Sequence, residues 1–396
     1  MDVTTPPLDE DPSDKGRVVS TAKEPARPRV KPIYGVFYLA GRVRLGTGLG
    51  YAAEVADPDG RYASLIRLLD GERLMASIVE ELAASMTESE VREAITALVD
   101  AGYVEDAAVP VPDELSDREC ERYRANLNFF STLPNSESRY AHQAKLKQLR
   151  VALIGLGGIG SNVAMALAEL GVAAITAIDF DRVELSNLNR QVLYSTPEVG
   201  HLKSEVAGRR IAAFNPEVEF TAVAERIASV ADVERFLDLA RADVVFCLAD
   251  KPNGFIDHWV NEVCVRRELP MFAGGIFAAI GNAYCVLPGG VCYACRVGAE
   301  LQTTPALVEE LDYVRATEFN VSNGAMGPTC MFHAYFLTYE MVRHVLELGP
   351  PLTADSLFEI DFVTFAQTFT KFDRREDCAI CGSAPATREA TETARV

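Results

Sequence analysis

The sequence predicts an α/β protein: a Rossmann-like, doubly wound, mainly parallel sheet, preceded by a small α+β winged-helix-like domain and carrying a four-cysteine zinc site. Three observations carry this. From Arg150 onward, short apolar runs alternate with helical runs, the mark of a parallel sheet with crossover helices. A glycine-rich loop, Gly155-Leu-Gly157-Gly158-Ile-Gly160, joins the first of those strands to the first helix. Two Cys-x-x-Cys pairs, Cys292/Cys295 and Cys378/Cys381, stand near the end.

Residues 1–28 hold prolines and acids without periodicity and predict a disordered tail, as do the small polar residues 383–396. The small domain spans 29–105. Val36–Leu39 and Arg42–Leu45 flank an Ala-Gly turn and predict a hairpin, with a third short strand at Ala52–Ala56. Helices are expected over Tyr62–Leu69 and Leu74–Ala84, then from Thr87, whose spacing to Glu90 is that of a capping box, to Gly102. Residues 106–119 are acidic with prolines and predict a linker to a large domain over 120–382.

In the large domain, strands are expected at Arg150–Gly155, Ala174–Phe180, Val218–Val223, Asp243–Leu248 and Met271–Ala273. Helices are expected at Ile159–Leu170, Val199–Phe214, Val233–Ala240 and Gly254–Arg267. After about residue 281 the alternation fades into a long polar loop, 296–324, and then a helix over 328–347.

Composition narrows the function. With 48% hydrophobic and 24% charged residues the chain is globular. A net charge of −19 argues against nucleic acid or an anionic membrane as partner, since phosphates need a basic face. The start has no apolar signal region, and nine cysteines without one predict a reducing cytoplasm. Residues 151–170 are apolar enough to be weighed as a membrane span, but their glycines and change of pattern favour a buried strand and helix.

Glycines between a strand and a helix let the backbone approach a phosphate, and Asp179, about twenty residues on, stands where a ribose-binding acid is expected. A nicotinamide enzyme fits that far. The segment that follows, IDFDRVELSNLNRQ with Arg190, then Lys203, brings cations suited to a triphosphate and to the charge that develops when its α-phosphorus is attacked. Asp250 leaves a later strand near the same crevice and can hold Mg²⁺.

The run GLGGIGS…AIDFDRVELSNLNRQVLYS…VGHLKSEVA…NP…CLAD resembles the ThiF/MoeB/HesA family of ubiquitin-activating-type adenylyltransferases over about 120–382. The resemblance implies that ATP adenylates a carboxylate, usually at the C-terminus of a small protein or peptide. It implies a nucleotide set of Gly155, Gly157, Gly158, Gly160, Asp179, Asp181, Asn187, Arg190, Gln191, Lys203 and Asp250, with Asp179 on the ribose and Asp250 near Mg²⁺ and the α-phosphate. It also implies a homodimer in which an N-terminal arginine enters the partner's site; Arg124 in RYRAN is the candidate and Arg122 its rival.

Two Cys-x-x-Cys knuckles can place four thiolates on one tetrahedral Zn²⁺, a closed and therefore structural site, as in family members. Many relatives pass the acyl group to a cysteine after the first knuckle, but Arg296–Thr329 contains none. Cys330, inside an apolar helical run, is expected to be a packing thiol, as are Cys247 and Cys264.

The front module resembles the PqqD-like peptide-recognition element of ribosomal-peptide maturation enzymes, in LIRLLDGERLMASIVEELA and DAGYVED. That implies a leader peptide added as an extra strand. The expected function is therefore ATP-dependent adenylation of a carboxylate on a ribosomally made precursor peptide. Two alternatives stay open: a non-catalytic leader-binding partner delivering precursor to a cyclodehydratase, and a sulfur-carrier activator.

Overall fold

The computed structural model describes residues 3–4, 24–47, 52–133, 138–304, 306–317 and 324–382. The chain divides into two compact units, Met1–Ala144 and Lys145–Val396.

The first unit contains β1 (Val3–Thr4), β2 (Pro28–Val30), β3 (Val36–Leu39), β4 (Arg42–Leu45) and β5 (Ala53–Ala56), then α1 (Arg61–Leu68), α2 (Met75–Leu82), α3 (Glu88–Asp100) and β6 (Val104–Asp106). The antiparallel sheet runs β1-β5-β4-β3, and β2 pairs separately with β6. Val43, Leu45 and Val55 alternate inward and meet Leu65, Ile78, Val91, Ile95 and Leu98 from the helices in one apolar core. The helix starts are locally encoded. Asp57 accepts hydrogen bonds from the Tyr62 and Ala63 amides at 2.9 and 2.8 Å. Thr87 and Glu90 form the reciprocal capping box.

Two expectations need correction here. The tail 1–28 is not wholly without structure: Val3 and Thr4 pair with Val55 and Glu54, and the Ala26 and Arg27 amides donate to Asp106 at 3.0 and 2.9 Å. Residues 5–23 and 383–396 lie outside the described residues. The stretch 106–119 is not a bare linker either. Ser116 and Glu119 cap α4 (Asp117–Arg122), which leads into α5 (Arg124–Phe130). The first unit passes the expected boundary near 120 because Lys31 donates to the Ser131 carbonyl at 2.6 Å and Arg139 pairs with Glu105 at 3.1 Å.

The second unit opens with α6 (Ala141–Gln148), which crosses the boundary, then β7 (Arg150–Ile154), α7 (Gly158–Leu170), β8 (Ala174–Ile178), α8 (Lys203–Phe214), β9 (Glu219–Val223), α9 (Val230–Ala240), β10 (Val244–Cys247), α10 (Ile256–Arg266) and β11 (Met271–Phe277). Then come β12 (Ile280–Val286), α11 (Tyr293–Thr303), α12 (Ala306–Thr317), α13 (Gly327–Val345), β13 (Ser356–Asp361) and β14 (Gln367–Lys371). The eight-stranded sheet runs β14-β13-β12-β11-β10-β7-β8-β9. Pairing is parallel from β11 to β9 and antiparallel from β11 to β14. Strands covered on both faces are continuously apolar, which is why β7, β8 and β10 are visible in the sequence as uninterrupted runs.

The polar loop expected over 296–324 is instead largely helical, in α11 and α12. Their polar outer faces hide the helical period, and Arg296 pairs with Glu300 one turn on at 3.0 Å. Among the described residues no helix is long and apolar enough to cross a membrane. Thr87→Ala removes the α3 cap and should destabilise the first unit by about 1 kcal/mol, seen as faster amide exchange in α3 while α7 exchange is unchanged.

Candidate functional site

The site is built where the parallel strands end. After β7 the chain turns through Gly155 at φ 94°, where a Cβ would lie 2.8 Å from the Leu248 carbonyl oxygen. Gly160, in the first turn of α7, packs on the Gly155 carbonyl, which an added Cβ would approach to 2.0 Å. Gly157 differs: a Cβ there meets no atom within 4 Å. Gly155 and Gly160 therefore shape the turn, whereas Gly157 keeps open space before the amides of the α7 N-terminus, where an anion is favoured.

Asp179 follows β8 and pins this loop. The Leu156 amide donates to its Oδ2 at 2.7 Å and the Asp181 amide to its Oδ1 at 2.8 Å. Burial pushes its pKa up, and Lys203 and the two amides pull it back. Two further residues, not anticipated from the sequence, hold the loop. The Tyr194 hydroxyl donates to the Leu156 carbonyl at 3.0 Å. The Asn162 amide donates to the carbonyls of Gly158 at 2.7 Å and Arg190 at 3.1 Å. The one sequence signal for Asn162 is a polar side chain in an apolar helix.

The cations converge on the same crevice. Lys203 opens α8, is 5% exposed, and reaches Asp181 Oδ2 at 3.0 Å. Arg190 donates through Nη1 to the Ser186 carbonyl and to Asn189 Oδ1, each at 2.9 Å. Asn187 is buried and its Oδ1 accepts from the Glu184 amide at 3.1 Å, so it shapes the turn that presents Arg190. Gln191 is buried with Oε1 unpartnered. Asp250 lies beyond β10; burial raises its pKa, while Lys251, Lys203 and Arg190 oppose that shift from nearby. The structure thus gathers Arg190, Lys203, Asp181 and Asp250 about the glycine loop. Arg124 begins α5 in the first unit.

The sulfurs of Cys292, Cys295, Cys378 and Cys381 lie within 4.8 Å of one another. A tetrahedral ion with Zn–S bonds of about 2.3 Å needs sulfurs about 3.8 Å apart, so the set fits zinc. The Arg375 amide donates to Cys295 Sγ at 3.3 Å, a bond suited to a thiolate. Cys330 is buried, but it does more than fill the core. A Cβ on Gly158 would lie 2.8 Å from its Sγ, so the thiol backs the glycine loop. Burial raises its pKa, which keeps it a poor nucleophile.

Gly157→Ala should leave the melting temperature within about 2 °C of wild type, since nothing is met, yet weaken ATP binding at least about tenfold. Gly160→Ala should lower both, because its methyl meets backbone. Calorimetry and titration with a fluorescent ATP analogue separate the two.

A profile of the ThiF family matches residues 123–380. A sulfur carrier protein adenylyltransferase of Thermus thermophilus is 31% identical over 257 residues, 62% of this chain and 87% of its own. The molybdopterin-synthase adenylyltransferase of Escherichia coli is 28% identical over 68% of this chain and 99% of its own. The crystal structure of E. coli MccB with AMPCPP and MccA shares the fold with a TM-score of 0.68 at 22% identity, over 90% of this chain and 99% of that one. With the profile spanning the glycine loop, the acid, the cations and the first cysteine knuckle, the chain belongs to the ThiF family.

Proposed function

We propose that this ThiF-family adenylyltransferase uses ATP and Mg²⁺ to adenylate a carboxylate of a ribosomally made precursor peptide, whose leader is held by the first unit. The observation that carries this is coverage. The adenylyltransferase relatives from T. thermophilus and E. coli align over 62% and 68% of this chain, whereas the MccB fold spans 90% of it and so extends into the first unit. MccB is a microcin biosynthetic enzyme seen in complex with N-formylated MccA, and an N-formyl group is how bacterial ribosomes begin a chain. A sulfur-carrier substrate is favoured by the names of those relatives, and the additional front unit weighs against it.

In this reading the loop amides and the α7 dipole take the phosphates, Asp179 takes the ribose, and Arg190 and Lys203 offset the charge of the triphosphate. Asp250 would hold Mg²⁺, whose charge would further neutralise the triphosphate. The substrate carboxylate is already ionised, so no general base is required. Its oxygen bonds to the α-phosphorus, the bond to the β-phosphate oxygen breaks, and pyrophosphate leaves. With no cysteine between Arg296 and Thr329, and Cys330 buried and protonated, the acyl-adenylate passes to a group on the substrate or to a partner such as a cyclodehydratase. Met331, Phe332, Tyr335 and Tyr339 form an exposed apolar stripe on α13, which supports a homodimer. The four-cysteine cluster would hold a structural zinc that clips 378–381 to α11.

Pyrophosphate exchange with ATP, Mg²⁺ and the cognate peptide should depend on the peptide and fall at least about 100-fold in Arg190→Ala and in Asp250→Ala. Leader binding without exchange would instead make the protein a delivery partner. Purified protein should carry about one zinc per chain. Cys378→Ser/Cys381→Ser should lose it and melt roughly 5 °C or more lower; metal analysis and calorimetry check this.

A further inference from the structure

A cavity of about 690 Å³ lies along the carboxyl ends of the sheet strands and runs past Asp250 to β11. In the strand order β11 lies on the opposite side of β10 from β7, so this end extends away from the glycine loop. Lys251 and Arg315 line this end, and neither has a carboxylate within ion-pair distance among the described residues. Arg226 lines the opposite end, where its guanidinium lies 5.6 Å from the ring of Phe180, just after β8. Arg315 is placed by stacking: its guanidinium sits 5.3 Å from the centroid of Phe255, and its Nε donates to the Gly254 carbonyl at 3.3 Å. Arg296, also in the lining, stacks at 4.4 Å on Tyr284 and 4.8 Å on Tyr293, and its charge is taken up by Glu300 at 3.0 Å, which leaves Arg315 as the guanidinium here without an acid.

The acids here lie nearest other cations: Asp250 beside Lys251, and Asp257 beside Arg296. Asp257 is engaged by the Tyr284 hydroxyl at 3.0 Å, and Asp250 belongs to the nucleotide crevice. With its ring face on Phe255 and its Nε on the Gly254 carbonyl, Arg315 has its Nη groups left for a carboxylate. The concave protein wall strengthens that attraction relative to open water.

We infer that the β11 end of this cavity is a subsite for an acidic side chain of the substrate peptide, adjoining the carboxylate that is adenylated, with Arg315 as its specificity-determining contact. The inference rests on the adenylation reading for its setting, and it names the substrate class: a peptide with Asp or Glu beside the reacting position.

The reporter is built in. The chain's one tryptophan, Trp259, stacks on Phe255 at 5.4 Å, beneath Arg315. Its fluorescence is titrated with acetyl-Gly-Glu-Gly-amide, acetyl-Gly-Gln-Gly-amide and acetyl-Gly-Lys-Gly-amide, with and without a non-hydrolysable ATP analogue and Mg²⁺. The Glu peptide should bind at least about tenfold tighter than the Gln peptide. Arg315→Gln should erase that preference, and Arg315→Glu should shift it to the Lys peptide, with affinity for the ATP analogue unchanged. Equal binding of Glu and Gln peptides overturns the subsite. So does displacement of the nucleotide by the Glu peptide, which would assign these cations to the triphosphate. Failure of the ATP analogue to bind at all overturns the adenylation reading instead, and the titration without nucleotide still decides the subsite.

Discussion

Everything at this site depends on how closely Gly160 approaches the Gly155 carbonyl. Without a Cβ at 160, the first turn of α7 closes onto the end of β7, and the helix N-terminus points across the open space in front of Gly157. The turn is then locked from the next strand. Asp179 accepts the Leu156 amide, and that requires an ionisable group to be buried. The burial is tolerated because two amides and Lys203 share the charge. A helix end, an acid and a cation are thereby set in fixed relation before any ligand arrives, which is what preorganised charge stabilisation demands.

The second constraint is positional. The anion-binding helix end follows β7, Asp179 follows β8 and Asp250 follows β10, all neighbours in one sheet. Residues far apart in sequence therefore meet along one edge. The antiparallel extension from β11 to β14 brings the second knuckle back beside the first, so the cysteine cluster joins the C-terminal segment to the start of α11. The first unit has its own sheet, helices and core, and the T. thermophilus relative aligns with only 62% of this chain.

Where sequence and structure differ, the causes are local. The helices α11 and α12 are hidden in the sequence because a partly exposed helix carries charges where a core helix shows its apolar stripe. The prolines and acids of 106–119 suggest a linker, although Ser116 and Glu119 already spell a capping box. The apolar neighbours of Cys330 place it in the core, and it is buried, but sequence distance conceals that its thiol backs Gly158. The stacked arginines Arg296 and Arg315 of the cavity's β11 end have no signature at all, since each sits alone in its own stretch of chain.

From residues alone came the features carried by local periodicity and by short motifs: the alternating strands and helices, the capped helix at Thr87, the glycine loop, and the list of acids, cations and cysteines suited to a nucleotide and a metal. Such features are encoded within a few residues, so one strand or one turn suffices to recognise them. Other features arose only once the chain was folded: the gathering of Arg190, Lys203 and Asp250 on one crevice, the loop-holding bonds of Tyr194 and Asn162, and the cation-lined space past β10. These depend on which strand ends become neighbours and on which charges are left unpaired after every other partner has been placed. Both are properties of the whole packed sheet rather than of any one segment.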